Sequence, residues 1–191
     1  MKTIELSAAP RTETGKKAAK HSRKSELVPA VIYGAGENVM ISLGEKELKK
    51  VIYTPIVYLV KLNVDGKVHD AIIKEVQYHP VTDKILHVDF LKVSENKPIT
   101  IGLPVNLVGQ AEGVKAGGKL LQVVRKIRVK GLAKDLPDAI EIDVTHLSIG
   151  KSIMVAELSF DKFTVVEPKS MVIATIKSTR AAREAQQEQA K

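Results

Sequence analysis

Cysteine is absent from all 191 residues, which removes disulfides and thiolate metal centres. Tryptophan is absent too, and Phe and Tyr together supply only 4% of the chain. Any core must therefore be aliphatic. Val and Ile clearly outnumber the aromatics, and their branched side chains suit a pleated surface better than a helix. The amino terminus, MKTIELSAAPRTETGKK, has no apolar run of signal-peptide length. No stretch approaches the roughly 18 uncharged apolar residues that a membrane-spanning helix needs. A soluble, cytoplasmic protein is the expectation. The glycine-rich phosphate loop, the nucleophile elbow and the paired helical histidines of common enzyme classes are missing as well.

What is present is charge of one sign, unevenly placed. The chain carries a formal +8. Residues 1–24 hold seven Lys/Arg (Lys2, Arg11, Lys16, Lys17, Lys20, Arg23, Lys24) against Glu5 and Glu13. A local positive field of this kind favours a polyanion, either nucleic acid or an acidic surface. The alternative is a surface that merely keeps the protein in solution.

Turn and strand signals divide the chain in two. TIELSAA alternates as a short strand. RTETGKKAAKHSRKSEL lacks apolar periodicity and reads as a long functional loop, with at most a helical turn near Lys17–His21, that orders on binding. VPAVIYGAG reads as a buried strand. EKELKKVIYT places Leu48, Val51 and Ile52 at helical spacing and must stop before Pro55. VYLVKLNV and KVHDAIIKEVQYH form a hairpin about Asp65-Gly66, and PVTDK turns the chain into ILHVDFLKV. The fold expected for residues 1–93 is mainly β, a small antiparallel β-barrel with one or two helices. SENKP, residues 94–98, is the linker. Residues 99–177 read as a second all-β domain, and 178–191 as a polar tail, helical or disordered.

The segment QYHPVTDKILHVDF, residues 77–90, concentrates polar side chains. In a strand over ILHVDFLKV, Leu86, Val88 and Phe90 face the core while His87 and Asp89 face outward. With Pro80–Lys84 as the hairpin loop, His79 falls opposite Ile85, Gln77 opposite His87, and Glu75 opposite Asp89. Gln77, His79, His87 and Asp89 then share a patch. Three readings stand at this point: a metal or acid–base site on His79, His87 and Asp89, a solvated sheet face, or a hydrogen-bonding surface that works with the basic loop. The last has a physical logic. Lys and Arg neutralise phosphates without reading sequence, whereas Gln, His and Asp offer directional groups to base edges and ribose hydroxyls across a shallow minor groove. Tyr33 is a candidate for stacking or donation, or else a core residue. In RKIRVK, the alternation puts Lys126, Arg128 and Lys130 on one strand face, as an RNA contact or as a solvated face. Gly117-Gly118 reads as a turn.

Taken in order, R-x4-GK (Arg11, Gly15, Lys16), VPAVIYG and QYHPVTDKILHVDF resemble the bacterial large-subunit ribosomal protein L25 family. GVKAGGKL, DLPDAIEIDVTHLSIG and SIMVAEL are similar to the second domain of its long form, the CTC or general stress protein form. The resemblance covers residues 3–177. It implies a structural, non-enzymatic protein of the large ribosomal subunit that binds 5S rRNA through the amino-terminal barrel and needs no cofactor. It implies RNA contacts from Arg11, Lys16, Lys20, Arg23 and Tyr33, followed by Gln77, His79, His87 and Asp89. Neighbouring subunit proteins or 23S rRNA are the expected partners of the second domain, with no membrane and no small-molecule substrate. Three positions depart from the pattern. Ser22 precedes Arg23 where the family has Leu-Arg, His21 stands where arginine also occurs, and Glu26 replaces the glycine before the proline strand. A related barrel that recognises another RNA, such as tRNA, is the main rival, and a metal-dependent enzyme on His79, His87 and Asp89 the second.

Overall fold

The computed structural model describes residues 1–34, 36–94 and 97–179, without the side chain of Glu37. It falls into two compact units, one of Met1–Ile99 with Leu132–Lys134, the other of Thr100–Gly131 and the chain from Asp135. The expected tail lies outside the described residues from position 180 onward.

The first unit is a closed six-stranded barrel. Its strands are β1 (Lys2–Pro10), β2 (Leu27–Gly34), β3 (Glu37–Gly44), β4 (Tyr58–Val64), β5 (Lys67–Tyr78) and β6 (Ile85–Lys92), with helices α1 (Lys16–Lys24) and α2 (Glu45–Ile52). Around the barrel the order is β1-β3-β2-β6-β5-β4. Four seams are antiparallel as expected. The β1–β4 and β2–β6 seams are parallel, because sequence alternation shows which side of a strand is apolar and not which strands close the ring. The tight turn at Asp65-Gly66 has φ of 48° and 81°, the two left-handed residues a two-residue hairpin favours.

Alternation fills the interior. Val28, Ala30 and Ile32 of β2 meet Val88 and Phe90 of β6, with Ile41 and Leu43 of β3 and Val60 and Leu62 of β4 around them. Leu48 and Val51 join the same core, so α2 docks by the i, i+3 side its sequence displays. Glu45 and Glu47 in its first turn and Lys49 and Lys50 in its last oppose the helix dipole favourably.

The basic segment corrects the reading of a loop: Lys16–Lys24 is helical. Its sequence shows no apolar stripe because the covered side consists only of Ala18, Ala19 and Ser22, half-buried, while every charged residue is exposed. Alanine and long straight side chains are good helix formers, which is enough once a docking surface exists. After α1 the chain passes Glu26, a non-glycine residue at φ 57°. Its carbonyl accepts from the Glu45 backbone N–H at 2.9 Å, which fixes the turn between α1 and β2.

The second unit contains two sheets, β10-β7-β9-β12 and β11-β13-β8. The strands are β7 (Ile99–Val108), β8 (Lys119–Gln122), β9 (Lys126–Gly131), β10 (Ile140–Asp143), β11 (Ser152–Met154), β12 (Thr164–Val165) and β13 (Val172–Lys177), with a one-turn helix α3 (Glu112–Lys115). The glycine-rich stretch after β7 is a packing device. A Cβ at Gly113 or Gly118 would press within 3 Å of the Ile149 or Gly113 backbone and of Ile176, and Gly117 turns the chain at φ 85°. On β9, Ile127 and Val129 are buried while Lys126, Arg128 and Lys130 are exposed, as the alternation indicated. Arg128 grips Glu167 with a fork, Nε to Oε1 at 2.6 Å and Nη2 to Oε2 at 3.1 Å.

Two predictions arise here. Glu26→Gly removes a side chain from a left-handed position and should raise stability by about 1 kcal/mol, the usual cost of such a conformation for an L residue; a thermal or urea melt reads it. The hydrogen bonds from Arg128 hold the Glu167 carboxyl below its ordinary value of 4.5. A lowered folded value means the contribution is fully present above pH 4.5 and is lost as pH falls through the folded value. Protection of the β9 and β12 amides, taken relative to the intrinsic exchange rate at each pH, should therefore fall below pH 4.5 in the native chain, and the fall should be weaker in Glu167→Gln.

Candidate nucleic-acid interface

The hairpin of β5 and β6 builds the site. Backbone bonds from His79 N–H to the Lys84 carbonyl (2.9 Å) and from Asp83 N–H to the His79 carbonyl (3.0 Å) close a loop of Pro80–Asp83. The loop is thus one residue shorter than expected, and Tyr78, not His79, pairs with Ile85. Leu86 then stands as an extra residue, a β-bulge, before Gln77 pairs with His87 and Val76 with Val88. The bulge changes which side chains point inward. Ile85 is buried and Leu86 is not, a correction to the expected stripe of Leu86, Val88 and Phe90. A second bulge, at Lys74, lies between the Glu75–Asp89 and Ile73–Phe90 pairs.

These shifts leave the expected polar pairs in place on the outer surface of the barrel. Gln77 lies beside His87 and Glu75 beside Asp89. Val31 aligns with Asp89 and Tyr33 with Leu91 across the parallel seam. Tyr33 is half-buried. Burial, then the charges of Asp89 and Glu75, push its hydroxyl above the ordinary value of 10.0, so it remains a donor at neutral pH. The next strand extends the face with Asn38 opposite Tyr33 and Met40 opposite Val31. Both are exposed, and neither stood out in the sequence; only the period of two in β3 could have found them. Arg11 joins at this edge, its N–H bonded to the Met40 carbonyl at 2.9 Å.

His87 Nδ1 lies 2.7 Å from Asp89 Oδ1. A carboxylate can only accept, so Nδ1 carries the proton and Nε2 is left for a ligand. His79 is arranged the other way. Its Nδ1 accepts from the backbone N–H groups of Val81 and Thr82, both at 3.3 Å, so it caps its own loop and departs from the shared patch. Among the described residues no three His, Asp or Glu side chains are gathered to hold a metal, so the geometry offers the metal-enzyme rival no centre. Lys16 and Lys20 extend from α1, and Arg23 Nε donates to the Leu86 carbonyl at 3.1 Å. That bond ties the basic helix to the bulge beside His87.

A face of directional groups beside a cationic helix matches the polar half and the charged half of an RNA reader. Comparison with known proteins narrows the family. The model of the Ribosomal L25p family matches residues 6–90, and that of the ribosomal protein TL5 C-terminal domain matches residues 98–180. The chain belongs to the ribosomal L25p family. Relatives of the L25p family include the large ribosomal subunit protein bL25 of Porphyromonas gingivalis, 48% identical over 185 residues and 96% of both chains. That of Azobacteroides pseudotrichonymphae is 48% identical over 184 residues, 96% of this chain and 97% of its own. That of Bacteroides thetaiotaomicron is 46% identical over 188 residues, 96% of both. The family is one of structural ribosomal proteins and not of enzymes. The second match identifies the chain as the long, two-domain form of the L25p family.

The two hairpin histidines should show opposite neutral tautomers. In long-range proton–nitrogen spectra at alkaline pH, His87 is expected as the Nδ1–H form and His79 as the Nε2–H form. Asp89→Asn should mix the tautomers of His87 and leave His79 unchanged.

Proposed function

We propose that this chain is a structural protein of the large ribosomal subunit in the bacterial cytoplasm and that its barrel, residues 1–93, binds 5S rRNA. Arg11, Lys16 and Lys20 would neutralise phosphates, and Tyr33, Gln77, His87 and Asp89 would read base edges and ribose hydroxyls across a minor groove. The observation that carries this reading is the His87–Asp89 pair. A carboxylate repels phosphate, and Asp89 Oδ1 is engaged with His87 Nδ1, which leaves Asp89 Oδ2 and His87 Nε2 for a base or a hydroxyl. His79 contributes its loop geometry, with Nε2 still available to RNA. The second domain, residues 99–177 after the linker at 94–98, would meet neighbouring ribosomal proteins or 23S rRNA, with Lys126 and Lys130 as its exposed cations.

Helix α1 supports the electrostatic half. Lys16 and Lys17 occupy its first turn with no acidic residue there, against the positive end of the helix dipole. Each such placement costs about 0.3–1 kcal/mol. A polyanion would relieve that cost.

Titration of 5S rRNA at two salt concentrations, with tRNA as competitor, tests the proposal. Arg11→Ala and Lys16→Ala should each lower the salt slope by about one counterion. His87→Ala or Asp89→Ala should weaken binding by about 1–3 kcal/mol through lost directional bonds, with the slope kept. Displacement by tRNA at equal concentration would favour the rival barrel that recognises tRNA. An unchanged slope in the Arg11→Ala/Lys16→Ala double variant would overturn the assignment of the phosphate contacts.

A further inference from the structure

We infer that Arg23 is a positioning residue, a clamp that holds helix α1 against the Leu86 bulge, and that discrimination between RNAs depends on this clamp. The inference rests on the RNA reading above for its second half only. Counted by charge, Arg23 is one more phosphate-binding cation of the basic segment. Its geometry differs from theirs. Lys16, Lys17, Lys20 and Lys24 extend from an exposed helix surface, whereas Arg23 uses Nε to reach the main chain 63 residues away, at Leu86.

The acceptor is the residue that the β5–β6 ladder sets out of register, one position before His87. Bulges re-aim side chains, and this one decides that Ile85 enters the core and that His87 and Asp89 face outward together. Alongside lies a cavity of about 70 Å³ lined by Arg23, Glu26, Val28, His79, Ile85 and Leu86 among others. The packing between α1 and the hairpin is therefore incomplete here, and the side of α1 that is covered is only Ala18, Ala19 and Ser22. With so little apolar burial, one directed hydrogen bond is a large share of what fixes the helix. The helix that would neutralise phosphates and the strand that would read bases are thereby held in one frame. Without it each half could still bind, but not in a fixed relation.

Two substitutions separate clamp from counterion. Gln has Nε2 at the same place along the side chain as the arginine Nε, so Arg23→Gln loses the charge and keeps the donor. Arg23→Met matches the length and has neither. In the free full-length protein, amide exchange of α1 should stay near native in Arg23→Gln and quicken about fivefold in Arg23→Met, the effect of one exposed hydrogen bond. The preference for 5S rRNA over tRNA should persist in Arg23→Gln and fall at least as much in Arg23→Met. Equal exchange in both variants, or native exchange in Arg23→Met, would overturn the clamp. If the native chain shows no preference between the two RNAs, the RNA reading fails, and the exchange experiment still judges the clamp by itself.

Discussion

The β5–β6 ladder with its two irregularities is the constraint on which the first unit depends. A regular ladder would keep one phase of alternation along both strands. Here the loop closes at His79 and Lys84, and Leu86 takes up the residue left over. The phase of β6 therefore changes between Ile85 and Val88, both of them buried. On the other strand, Lys74 resets β5 so that Ile73 and Val76, three positions apart, both pack on the core. The core is continuous because the ladder is not. The polar residues between those fixed points have nowhere to face but outward.

Charge and hydrogen bonding are kept on different parts of this surface. Cations sit on α1, whose covered side is too poor in apolar groups to hold it firmly. Directional groups sit on strands that the barrel holds rigidly, with buried neighbours on the reverse of each. That division suits a ligand with a uniform charged backbone and variable edges, since charge tolerates a looser frame than hydrogen bonding does. The His87–Asp89 pair shows the tighter half well. Both side chains are only about a quarter exposed, so their mutual orientation is fixed before any ligand arrives.

Much of this was legible in the sequence, for particular reasons. Asp65-Gly66 and the apolar alternation of β2, β4 and β6 marked a hairpin and barrel strands. The Gln77–His87 and Glu75–Asp89 pairs were reached through two offsetting differences, a loop one residue shorter and a bulge one residue longer. Nothing in the string LHVDF distinguishes a bulge from regular pairing, because the choice lies in the fit of Ile85 to the core. Helix α1 reads as a loop in the sequence because its inner face is alanine and serine, which carry no periodic apolar signal. The departure at Glu26 was visible as a missing glycine, and its left-handed φ is why a glycine suits that position. Asn38 and Met40 carry no signal of their own in the sequence, since a neighbour across a seam is a property of topology.

The two parallel seams also set an order of events in time. β1 pairs with β3 and β4, and β2 pairs with β3 and β6, so each early strand waits for a partner made later. β1 lacks its second neighbour until the chain has passed Val64, and β2 until it has passed Leu91. Pairings of such wide sequence separation pay the entropy of loop closure before any contact rewards it, which slows folding. As the polypeptide grows from its amino terminus, the cationic segment emerges first and the ring that docks it is completed last. The nascent chain would thus pass through a stage as a basic, open sheet, and the ring closes only when β6 joins β2 and β5.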